Sequence, residues 1–92
     1  MVSYTAEQVA AFVKDMAAWR GIGRFREVIV SVDSFLNHPM AEDASKVALI
    51  LEGFKAARES DDNESAVKFA VLIAAEDPEV PSVKAFLRDM RP

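Results

Sequence analysis

The sequence predicts an all-α chain: five short helices forming antiparallel helical hairpins, packed as a small bundle or as a two-repeat superhelix with a C-terminal capping helix. Three observations predict it. Between turn signals, apolar residues recur at three- and four-residue spacing, the period of one helical face rather than of a strand. Fifteen of the 92 residues are alanine, the strongest intrinsic helix former. Glycines, Asn37-His38-Pro39, the polar run Ser60 to Glu64 and Asp77-Pro78 divide the chain into segments of helical length.

The first helix begins at Thr5, with Gln8 three residues on, the spacing of a capping box. Val9, Phe12, Val13, Met16 and Trp19 share one face, and Gly21 and Gly23 end it. The second starts near Arg24 and carries the stripe Phe25, Val28, Ile29, Val32, Phe35 and Leu36. Pro39 stops it, because proline cannot donate to the helical ladder and disfavours helical geometry at His38.

A third helix is expected from near Glu42 to Glu59, with acids in its first turn and Lys55 and Arg58 in its last, as the helix dipole prefers. Its inner stripe is Ala44, Val47, Ile50, Leu51, Phe54 and Ala57. Gly53 inside it marks either a close helix crossing or a tolerated glycine.

Ala66 to Ala75 reads AVKFAVLIAA, in which only Lys68 is not apolar. A helix apolar nearly all round must be covered on several sides. This fourth helix, from Asp62/Asn63 to Asp77-Pro78, is therefore expected to be the element the others pack around. Ser82 can cap a fifth, with Val83, Phe86, Leu87 and Met90 on one face, and the chain ends at Arg91-Pro92.

Residues 1–92 are expected to form a single helical domain with one modest core, since a chain this short buries only somewhat over half of its unfolded surface. Cysteine is absent, which excludes disulfides and thiolate metal sites and favours a reducing, cytoplasmic setting. No signal-peptide pattern and no membrane-length apolar run is present, so no membrane association is expected. The net charge of −4 comes from residues 40–92, where seven basic side chains face eleven acidic ones. Direct nucleic-acid binding is not expected, because phosphate neutralisation calls for a basic face.

Chemistry is sparse. The single histidine, His38, sits in a helix stop with no nucleophile in view, so it reads as a C-terminal cap. The Asp61-Asp62-Asn63-Glu64 run lacks the glycine and glutamate of a calcium loop, with Ala66 and Leu72 in their places. Gly21-Ile22-Gly23 has no preceding strand and reads as a helix break rather than a phosphate loop. Neither catalytic residues, nor a metal, nor a cofactor is assigned. One basic feature remains: Arg20, Arg24 and Arg26 surround the first turn beside Trp19, a composition favoured at binding hot spots. The alternative is that Trp19 belongs to the core while the arginines balance nearby carboxylates and a helix C-terminus.

Shifting the chain by 38 residues places Ala6, Val9, Phe12 and Val13 on Ala44, Val47, Ile50 and Leu51, and Val28, Ile29 and Val32 on Ala66, Val67 and Ala70. A shift of 39 lays Val83, Phe86 and Leu87 on Ala44, Val47 and Ala48. Gly23 to Pro39, GRFREVIVSVDSFLNHP, and Ala66 to Pro78, AVKFAVLIAAEDP, resemble the second helices of tetratricopeptide repeats, with Phe25 in the aromatic place and Ala66 in the small one. Val28, Met16 and Phe54 depart from that family's small residues, and the period is about four residues longer. The resemblance implies an inner groove faced by Arg20, Lys55 and Arg58 that takes an extended, acidic or C-terminal peptide.

The expected function is a non-enzymatic interaction module for a peptide or partner protein. The surplus apolar residues Val30, Met40, Leu49 and Leu72 off the main stripes also suggest a homodimer. The alternative is a small acidic inhibitor or immunity-type protein that neutralises a basic toxin or nucleic-acid-handling enzyme.

Overall fold

The computed structural model describes residues 3–90, and the Arg91-Pro92 end lies outside them. Five helices carry the chain: α1 (Ala6–Gly21), α2 (Phe25–Leu36), α3 (Lys46–Glu59), α4 (Asn63–Glu76) and α5 (Pro81–Asp89). Among the described residues the one strand-like pairing is an isolated parallel bridge between Tyr4 and Met40. Consecutive helices pack against each other across short connections, and α3 also packs against α1.

Local chemistry sets most boundaries. The capping box of α1 is complete: Gln8 N–H donates to Thr5 Oγ1 at 3.1 Å, and Thr5 N–H donates to Gln8 Oε1 at 2.9 Å. At the other end, Arg24 N–H donates to the Trp19 carbonyl at 3.0 Å. Closing that turn needs the left-handed φ of +83° at Gly23, which glycine adopts without a Cβ clash. Between α3 and α4, Asp61 takes φ of +57°, a conformation aspartate tolerates better than most side chains.

Two boundaries differ from expectation. Residues 41–45 form a turn, so α3 begins at Lys46 and its first turn holds no acid. Tertiary contact decides this: Ala41 N–H donates to the Tyr4 carbonyl at 2.8 Å and Tyr4 N–H to the Pro39 carbonyl at 3.0 Å. The strap holds Met40 and Ala41 against Tyr4, and α3 starts only after the turn that follows. Lys46, misplaced for the α3 dipole, pairs with Glu76 at 3.3 Å. In α5 the N-cap is Val80, Pro81 opens the first turn, and Ser82 lies inside it, because proline at N1 has no amide to cap. Met90 falls just past that helix and is 49% exposed.

The largest correction concerns the hub. It is α3, not α4, that the others surround: Leu49, Ile50, Gly53, Phe54, Ala56 and Ala57 are buried around its circumference. Leu49, expected off the stripes, is fully buried. α4 buries one stripe, Ala66, Phe69, Ala70 and Ile73, while Val71 (54%) and Leu72 (38%) remain exposed. Val30 on α2 is exposed as well.

Gly53 explains how α3 can be enclosed. A Cβ at this position would stand 2.9 Å from Phe69 Cε2 and 3.1 Å from Val32 Cγ1, so α2, α3 and α4 converge where a side chain is missing. The close-crossing reading is the correct one. At one end of the bundle, Phe12 stacks on Phe35 at 4.1 Å, and Tyr4 meets Phe12 edge-on at 4.9 Å and stacks on His38 at 5.3 Å.

Gly53→Ala should gain about 1 kcal/mol of helix propensity and lose about 1–3 kcal/mol to overpacking. The expected outcome is a net loss, seen as a lowered urea midpoint; a raised midpoint would mean that Phe69 yields freely. A second expectation concerns Asp62, the N-cap of α4. The Ser65 hydroxyl and backbone N–H donate to its carboxylate at 2.8 and 3.1 Å, and with Arg26 nearby they hold its pKa below the ordinary value. A depressed folded pKa stabilises the fold fully above the unfolded aspartate range, and this contribution is lost as pH falls through that range toward the folded value. Asp62→Asn keeps an acceptor oxygen but does not titrate. Its urea midpoint should differ most from the parent near neutral pH and converge with it in acid, and a pH-independent difference would contradict this.

Candidate interaction surfaces

Because α3 is enclosed, a charge on it must find a partner without leaving the bundle. Glu52 is the one buried charged residue among those described, its side chain 9% exposed. Arg20, from the last turn of α1, donates through Nε to Glu52 Oε1 at 3.1 Å and through Nη1 to Glu59 Oε1 at 2.8 Å. Lys55 approaches Glu52 Oε2 at 3.9 Å. Burial alone would lower the Arg20 pKa, but the hydrogen bonds and charges of Glu52 and Glu59 outweigh it and hold the guanidinium above its ordinary value. Four charges thus lace α1 to α3.

Of the five basic residues singled out from the sequence, two converge on one carboxylate. Arg20 and Lys55 meet at Glu52, while Arg24 is exposed and 3.5 Å from Glu27 within α2. Arg26 lies near enough to Asp62 to bias its ionisation. Arg58 turns toward α5, its guanidinium 4.8 Å from the centre of the Phe86 ring. Arg20 and Lys55 thus share a carboxylate, while Arg58 is engaged with an aromatic ring. Trp19 is half-buried against the core.

A groove of about 540 Å³ that no sequence motif marks lies between the end of α4 and α5. Ala74, Pro78, Val83 and Leu87 contribute its apolar wall, and Lys84 and Arg88 edge it. Val71, three residues before Ala74 on the same helical face, extends the apolar surface. Its two cations are loosely held: Lys84 is 3.3 Å from Glu79 and Arg88 3.5 Å from Asp89, all of them well exposed. Each of the four smaller depressions has at least one carboxylate in its lining, whereas the described lining of this groove has none. The available signal was the Lys84–Arg88 spacing of one helical turn beside the apolar stripe of α5.

Among the described residues, no three His, Cys, Asp or Glu side chains cluster to hold a metal ion, no buried side-chain nitrogen or oxygen lacks a partner, and no helix is long and apolar enough to cross a membrane.

Removing Glu52 takes the Nε hydrogen bond from Arg20 and leaves Glu59 as its one remaining carboxylate partner. Glu52→Ala should destabilise by about 1–2 kcal/mol, the value for a charged hydrogen bond reduced for the partial exposure of Arg20. The double variant Arg20→Met/Glu52→Leu should lie within about 1 kcal/mol of the parent, because apolar packing replaces a buried pair well. Urea denaturation of Glu52→Ala, and of the cycle of parent, Arg20→Met, Glu52→Leu and the double variant, checks both, and additive effects in the cycle would show that the pair is not coupled.

No known protein-family model, characterised protein or solved structure matches this chain.

Proposed function

We propose that the chain is a non-enzymatic protein–protein interaction module that takes a peptide or partner protein on its surface. One observation carries the reading: a small domain with a satisfied polar interior leaves an apolar groove of about 540 Å³ open between α4 and α5. An apolar groove edged by a few polar groups is the usual place for a bound partner.

The order of helix contacts supports a likeness to tetratricopeptide-type stacking. Helices two apart in the chain touch: α1 packs on α3, Lys68 of α4 reaches Asp33 of α2 at 2.6 Å, and Phe86 of α5 meets Phe54 of α3 edge-on at 5.2 Å. Stacked helical hairpins make such contacts, each unit burying its neighbour's face.

A second reading, an acidic inhibitor of a basic partner, draws on exposed carboxylates outside any ion pair among the described residues: Glu42, Asp43, Asp61 and Glu64. An association built on those groups would weaken steeply with added salt.

Selection from a random peptide display library, followed by titration of the enriched peptides against isotope-labelled protein, tests the module. Saturable shifts confined to one surface are expected. Failure to enrich any saturable binder would reject the reading.

A further inference from the structure

We propose that the α4–α5 groove seats an amphipathic helix of a partner protein, whose apolar stripe is edged by two carboxylates about one turn apart. This deepens the interaction-module reading and rests on it.

Charge complementarity argues for an acidic occupant. On a chain of net charge −4, the described lining of this groove presents two cations and no carboxylate. Lys84 and Arg88 stand four residues apart on α5, neighbours on one helical face. Their present partners, Glu79 and Asp89, are highly exposed, and ion pairs of that kind contribute little. Both cations can therefore turn to an incoming carboxylate at small loss.

Shape argues for a helix. α3 is covered by α1, α2 and α4 together. α5 has α4 along one side and Phe54 of α3 against Phe86. The face carrying half-buried Leu87 borders the groove. Ala74, Pro78 and Val83 form a floor of short side chains that lets a helix axis come close. A partner helix with leucines at i, i+3, i+4 and i+7 meets that floor, and its flanking glutamates reach Lys84 and Arg88.

The test uses a lactam-stapled, fluorescently labelled helix with that leucine stripe and flanking glutamates, titrated by anisotropy and by chemical-shift mapping of the whole chain. Saturable binding is expected, with shifts confined to the end of α4 and to α5, and weakening as salt rises. Lys84→Glu/Arg88→Glu, checked by circular dichroism for an unchanged fold, should weaken binding roughly tenfold or more. A peptide with lysines for glutamates should bind that variant better than it binds the parent. Equal binding of the glutamate and lysine peptides to the parent would overturn the proposal. So would equal binding of a proline-interrupted, non-helical version, or shifts of Leu87 and Arg88 with protein concentration alone, which would assign the face to a second copy of the chain. If the stapled helix fails while display-selected peptides bind elsewhere, the groove assignment falls and the module stands. If neither kind binds, both fall.

Discussion

The architecture depends on the contact at Gly53. Three helices meet there so closely that an added Cβ would stand 2.9 Å from the ring of Phe69 and 3.1 Å from a Val32 methyl, and a neighbour would have to shift. Ala56 and Ala57 of α3 and Ala66 and Ala70 of α4 are fully buried, and the two helices pack against each other. Alanine adds little area per residue, so the larger side chains Phe69, Ile73, Leu49, Ile50 and Met16 provide most of the buried apolar surface. The small residues set the distance at which those side chains interlock.

Enclosing α3 has an electrostatic consequence. Glu52 faces into the α1–α3 seam, where an isolated carboxylate would be strongly disfavoured. Arg20 meets it from a different helix, while Glu59 and Lys55 share the remaining charge. The network fixes the register of α1 against the hub. It also accounts for basic residues that the sequence alone offers equally well as a binding surface: Arg20 is occupied inside the protein.

The two ends of the chain are finished differently. At the first, the Tyr4 strap and the rings of Phe12, Phe35 and His38 bind the N-terminal segment to the α2–α3 connector. At the second, α5 covers part of α4 and leaves Val71 and Leu87 beside open space. The apolar excess of α4 follows from this asymmetry, since one of its faces is core and another borders the groove.

Helix number, class and most termini were written in the sequence, because capping boxes, prolines and apolar period act within a few residues. Thr5/Gln8, Gly23, Asp62 and Asp77-Pro78 did their local work where expected. Burial was legible only in part: the apolar run of α4 pointed to a hub, yet hydrophobicity states what a helix can bury and not how many neighbours reach it. α3, with Gly53, Glu52 and Lys55 along its length, looked the more polar of the two and is the one enclosed. Where it starts was likewise decided at a distance, by hydrogen bonds from Tyr4. The placement of Arg20, Arg24, Arg26, Lys55 and Arg58, and the pairing of Lys84 with Arg88 along an unfilled groove, depend on helix rotation and axial distance. These quantities arise only when side chains far apart in sequence pack together, and no local rule encodes them.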